Sequence, residues 1–155
     1  MAAVAKYGTP TIVTKLPDGN DRVGSGYIVG SDITAGDACC LVPNTSAIAA
    51  GVPAMEVVPA NGAADNGAAI VIGFAAMNAK AAQSDAVTLF RNLDWNYGTG
   101  FIAAFLSAAS GPVYVYLSAT VPGGLDTTPP WSGAQPIGVI LDDNRIRLWG
   151  NVGHN

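Results

Sequence analysis

Pro136-Ile137-Gly138-Val139-Ile140-Leu141-Asp142-Asp143-Asn144-Arg145-Ile146-Arg147-Leu148-Trp149 is the stretch on which the fold turns. An apolar run meets three polar turn formers, and an alternating run follows. Asp and Asn hydrogen-bond their own backbone and so favour a turn. Side chains of a strand alternate between faces, which puts Ile146 and Leu148 on one side and Arg145, Arg147 and Trp149 on the other. Two such runs around a short polar turn predict an antiparallel hairpin, with strands over 136–141 and 145–149.

The rest of the chain repeats this pattern. Strands are predicted at Tyr27–Val29, Ala38–Val42, Met55–Val58, Ala69–Phe74, Ala86–Phe90 and Val113–Ser118. Pro and Gly-containing turn dipeptides such as Asn61-Gly62 and Asn66-Gly67 separate several of them. The order also echoes itself. Gly36-Asp37-Ala38-Cys39-Cys40-Leu41-Val42-Pro43 parallels Gly111-Pro112-Val113-Tyr114-Val115-Tyr116-Leu117-Ser118. Val71-Ile72-Gly73-Phe74 parallels Pro136-Ile137-Gly138-Val139, and Val87-Thr88-Leu89-Phe90-Arg91-Asn92 parallels Ile146-Arg147-Leu148-Trp149-Gly150-Asn151. Three matches in the same order predict one β-rich domain, 23–155, made of two related modules at about 36–92 and 111–151.

Between the modules, Phe101–Ala109 places Phe101 with Phe105 and Ile102 with Leu106 at helical spacing. It is the predicted helix, started by Thr99 and stopped by Gly111-Pro112. A weaker helical turn is expected within Ala75–Ala82. Residues 1–22 read as an arm. Pro10 and Pro17 bracket an extended segment carrying Thr11, Ile12 and Val13, which suits an edge strand or a segment lying on a neighbour. Deleting 1–16 is therefore expected to weaken attachment to a partner more than the fold.

Composition narrows function. Of 155 residues half are hydrophobic and only 12% are charged, against about 25% in an average domain, so much of the surface is uncharged and suited to interfaces. The net charge is -4 and no Lys or Arg cluster occurs, which argues against nucleic acid, whose phosphates need several cations on one face. No run approaches the roughly 20 apolar residues of a membrane helix, and the first residues lack the apolar core of a signal peptide. Cys39 and Cys40 are adjacent and read as small buried hydrophobes in a reducing cytoplasm.

Catalytic readings are weak. The single histidine, His154, lies one residue from the C-terminus, so a Ser-His-Asp or Cys-His set would have to use that tail. Asp142 and Asp143 are explained by the turn, and Asp32 and Asp37 flank another. No calcium-loop or zinc spacing is present. Gly24-Ser25-Gly26 lacks the Gly-Lys-Ser/Thr of a phosphate loop and reads as a flexible turn. The expectation is no enzyme, no cofactor and no metal. Interface candidates are Thr9, Thr11, Ile12 and Val13 of the arm, Trp95 and Tyr97 in the polar stretch Asp94–Gly98, Trp131 after Pro129-Pro130, and Trp149. Trp95 and Trp131 are alternatively stacking platforms for sugars.

A resemblance sharpens this. Gly111–Leu117, Ala119–Pro130, Gln135–Asp142 and Arg145-Ile146 resemble a module of tailed-phage virion proteins. Asp32–Asp37 through Ile72–Ala76 resembles the core of head decoration (cement) proteins. The likeness spans about 31–151 and differs from the shorter members by its two modules and an inserted loop at 44–67. It implies small β-barrel or tulip-like modules and a homotrimer bound to the major capsid protein. It also implies a place on the outer capsid surface after synthesis in the bacterial host cytoplasm, and an arm that reaches the shell or a neighbour. A tail-fibre, baseplate or carbohydrate-binding receptor role is the rival expectation.

Overall fold

The computed structural model describes residues 3–4, 6, 9–14, 22–51, 54–63, 69–83, 85–98, 110–142 and 144–150. The predicted helix at 101–109 and His154 lie outside them. The chain is mostly β, with β1 (Ala3–Val4) and β2 (Thr11–Thr14) in the arm. Next come β3 (Arg22–Ile28), β4 (Ala38–Pro43), β5 (Met55–Pro59), β6 (Gly73–Ala75) and β7 (Ala86–Phe90). Then follow β8 (Leu93–Asn96), β9 (Tyr114–Leu117), β10 (Leu125–Asp126), β11 (Gly138–Ile140) and β12 (Arg145–Leu148). One short helix, α1 (Thr45–Ala49), and a 3-10 turn at Ala81–Gln83 complete the described elements.

Two sheets hold these strands, and every named pairing is antiparallel. The five-stranded sheet runs β3-β7-β6-β4-β5, and the seven-stranded sheet runs β1-β10-β9-β11-β12-β8-β2. Without β1 and β2, the second sheet has the strand order of the first: first, fifth, fourth, second, third in chain order. Register agrees as well. Cys39 stands opposite Gly73 as Val115 stands opposite Gly138, and Leu89 faces Ala75 as Ile146 faces Ile140. The sequence echo had set Cys39 with Tyr114 and Leu89 with Leu148, one and two residues away. A one-residue slip exchanges faces: Tyr114 is 43% exposed whereas Cys39 is fully buried. Pairing to the central glycine strand, rather than the length of the preceding turn, sets the register.

The modules close differently. In the first, the sheet curls until its edge strands meet. Val29 bridges Val57, and Gly30 N–H donates to the Val57 carbonyl at 2.8 Å. The enclosed face carries its own core of Val29, Ile33, Cys39, Val57, Val87 and Leu89. Its outer face carries Ala38, Cys40 and Phe74 and packs on the second module's inward residues Leu93, Trp95, Val115, Leu125, Ile140 and Ile146. Cys39 and Cys40 thus serve different cores because adjacent strand residues point to opposite faces.

Several expectations change. Asp94–Gly98, read as a polar loop, is largely strand β8. It lies between β12 and β2, so Leu93 and Trp95 point inward. Ala69–Phe74 is strand only from Gly73, and Gly24-Ser25-Gly26 is no turn but part of β3, where the pairing to β7 shifts register. The 44–67 insertion contains α1 and β5. Of the Ala75–Ala82 stretch only its end is helical, in the 3-10 turn. The arm also belongs to the core. Val4 is buried in the main cluster, Ile12 packs against it, and Pro10 is buried beside Gly36.

Candidate interaction surface

The β4–β5 hairpin outruns its sheet. β6 pairs with β4 only at Ala38 and Cys39, while β5 follows β4 from Cys39 to Pro43. Beyond β6 the hairpin carries α1, started by Asn44, whose side-chain oxygen accepts from the Ala47 N–H at 3.1 Å. No α1 residue is buried, and Gly51 at φ +86° follows the helix. Five residues are too few for a helix stable by itself, so the closing bond from Asn44 N–H to the Ala54 carbonyl at 3.0 Å holds the tip. Residues 38–55 contain no charged side chain. Ile48 and Met55 are 47% and 52% exposed there. An uncharged protrusion bearing large apolar side chains has the makeup of an interface core, where charged residues are depleted. The sequence singled out neither residue. Its available signal was the eighteen-residue charge gap.

The outward face of the seven-stranded sheet is different. Tyr114 and Tyr116 of β9 line a groove of about 510 Å³ with Ser110, Pro112, Thr127 and Pro129. Farther across the face, Arg147 Nε donates to Asp94 Oδ1 at 2.6 Å and Nη2 to Oδ2 at 3.2 Å. Asp94 is nearly buried, and its hydrogen bond raises the Arg147 guanidinium above its ordinary value, with its charge adding to the effect.

Expected interface residues scatter. Trp95 and Tyr97 are core residues, exposed by 0% and 1%, because β8 is an interior strand. The indole N–H of Trp95 has no partner, and the Tyr97 hydroxyl donates to the Gly36 carbonyl at 2.8 Å. Trp95 is therefore no sugar platform. Trp131 is half-buried against the main core, and Trp149, also half-buried, donates from Nε1 to the Pro136 carbonyl at 3.0 Å. Thr9 and Thr11 are exposed and Ile12 is half-buried on β2; the side chain of Val13 lies outside the described set.

The described titratable groups near the core are used structurally. Lys6 Nζ meets Asp37 Oδ1 at 2.6 Å and donates to Thr34 Oγ1 at 3.0 Å. Asp37 also accepts from the Thr34 N–H at 2.9 Å. This cluster lines a cavity of about 460 Å³ with Val4, Val121 and Leu125. Burial pushes the Cys39 thiol and the Tyr97 phenol up, with Asp37 adding to both, and burial pushes Cys40 up. Thiols held neutral are poor nucleophiles and ligands. Among the described residues no group of three His, Cys, Asp or Glu could hold a metal, and no helix is long and apolar enough to cross a membrane. Comparison with family models, with curated proteins and with solved structures found no match to this chain.

Proposed function

We propose that this chain is a non-enzymatic structural protein that binds a larger assembly through the uncharged tip of the β4–β5 hairpin. The observation that carries this is the pair Ile48 and Met55, half exposed on a tip with no charge from 38 to 55. Apolar surface seated in a partner contributes about 25 cal/mol per Å² removed from water, and many identical copies on a lattice add their contacts. The assembly named by the sequence resemblance is a tailed-phage capsid, with this chain as a decoration protein on its outer surface, as a homotrimer against the major capsid protein. The low charge content of the chain, 12% of its residues, supports that role. The groove over exposed Tyr114 and half-buried Tyr116 favours the receptor-binding alternative, since a tyrosine presents an apolar ring face with a polar tip.

Cryo-electron microscopy of particles carrying the chain tests the reading. Density on the head with the 44–54 tip against the shell is expected. Density confined to tail or fibres would refute it and move attention to the tyrosine groove. Ile48→Lys with Met55→Lys should abolish attachment. As exposed substitutions each should cost within about 0.5 kcal/mol, so the melting temperature should stay within a few degrees.

A further inference from the structure

The two modules share one strand order but differ in what closes them. In the first, the edges β3 and β5 meet through Val29 and Val57. In the second, the equivalent edges β8 and β10 do not pair with each other. Each is covered by an arm strand, β2 on β8 and β1 on β10. The arm therefore stands where the first module supplies its own closure. It is inserted from outside the five-strand unit, as a pair of donated strands.

The seat is built for this segment. Ala3 and Val4 pair with Asp126 and Leu125, and Thr11 and Ile12 with Asn96 and Trp95. Val4 is 6% exposed within the main core. Between the strands Lys6 reaches Asp37 and Thr34, and Pro10 lies so close to Gly36 that an added Cβ there would come within 2.9 Å of its ring. A generic extended peptide offers the backbone but not this spacing of apolar residue, cation and proline. Residues 15–21 then connect the arm to β3. Seven residues have a contour of at most about 25 Å.

We infer that the slot between the outer edges of β8 and β10 is an exchange site that takes the arm of a second copy of this chain in place of its own. Exchanging an identical element replaces every arm contact with the same contact, so it links copies without requiring new surface. This deepens the assembly reading above by specifying how copies join. It needs no capsid for its test.

The test uses the full chain. Thr11→Cys is placed in one tagged copy and Asn96→Cys in a differently tagged copy, because Thr11 and Asn96 are direct partners across β2 and β8. Cys39 and Cys40 are fully buried and give little background. The two copies are unfolded, refolded together and oxidised, and mixed disulfide is read on a non-reducing gel. A tethered segment has an effective concentration of about 1 mM. Mixed disulfide should therefore rise from a few per cent at about 10 μM chain to tens of per cent at about 1 mM. Thr11→Cys with Ser132→Cys, at an exposed position, sets the background. A yield no higher than that background at the upper concentration overturns the proposal, provided a chain carrying both Thr11→Cys and Asn96→Cys closes its own disulfide. If it does not close, Ala3→Cys with Asp126→Cys, partners across β1 and β10, takes its place: mixed disulfide above background supports exchange, and a background yield overturns it. Because no particle is present, loss of capsid attachment and loss of exchange are separate results.

Discussion

Replacing Arg147 with Ala separates a structural ion pair from an ornamental one. Arg147 clamps Asp94 through two hydrogen bonds, at 2.6 and 3.2 Å. The Asp94 side chain is 7% exposed and the Arg147 side chain 51%. Breaking a fully buried pair from one side costs about 3–5 kcal/mol, because a charge is left buried alone. Here the arginine is half in water, and solvent screens the pair, so the expected loss is about 2 kcal/mol. For a domain of this size that corresponds to a fall in melting temperature of about 4–8 °C. Arg147→Lys keeps the charge but loses the planar fork and should fall between. Arg145→Ala is the control. Its partner Asp142 is 37% exposed and Arg145 itself 42%, so less than about 0.5 kcal/mol is expected. Thermal unfolding by circular dichroism at neutral pH reads all three. Equal shifts for Arg147→Ala and Arg145→Ala, both under about 1 °C, would refute the argument that burial of one partner sets the cost.

Three further outcomes follow from the same geometry. Gly138→Ala would put a Cβ within 2.4 Å of the Arg147 carbonyl and 2.9 Å of a Val115 methyl, so a loss above about 2 kcal/mol is expected. Gly111→Ala, with nothing within 4 Å, should be near neutral, and a denaturant titration of both variants reads the difference. Burial alone would push Asp142 up, but hydrogen bonds from the Arg145 side chain and from the Asn144 and Arg145 N–H groups, with the Arg145 charge, hold it below its ordinary value. A lowered folded-state value stabilises above the unfolded value, about 3.9, and that contribution disappears as pH falls through the folded value. Asp142→Asn should therefore lower the melting temperature slightly at pH 7 and match the parent once pH falls below the lowered folded-state value; a gap that widens in acid contradicts the sign. Deleting residues 1–16 removes buried Val4 and half-buried Ile12 and uncovers two strand edges, for an expected loss of about 3–4 kcal/mol. A deletion that leaves the denaturation midpoint unchanged would show the arm to be outside the core.

The exchange slot and the hairpin tip place two demands on one molecule. The tip lies on the first module, which closes itself through Val29 and Val57. The slot lies on the second, which the arm closes. A copy can therefore trade arms while the module carrying the tip keeps its own closure. The ion pair of Lys6 with Asp37 ties the arm to the turn just before β4.

What the amino-acid sequence determined by itself was local. The alternation in Arg145–Leu148, the turn residues at Asp142 and Asn144 and the β-branched runs at Ala86–Phe90 and Met55–Val58 specify strands, because side-chain period and backbone preference are properties of adjacent residues. The echo of Ile72-Gly73 with Ile137-Gly138 was also legible, and its glycines open β6 and β11, which have equivalent neighbours in the two sheets. Tertiary structure decided the rest. Asp94-Trp95-Asn96 looks like a polar loop until Arg147, 53 residues later, supplies a partner for the carboxylate and lets β8 lie inside a sheet. Trp95 and Tyr97 become core residues for that reason, while Ile48 and Met55 are among the large apolar side chains left exposed. The same holds for closure: two modules with one strand order end differently because only the first brings Val29 to Val57, while the second leaves its edges for the arm. Burial and edge pairing depend on residues far apart in the chain, and no window of sequence contains both partners.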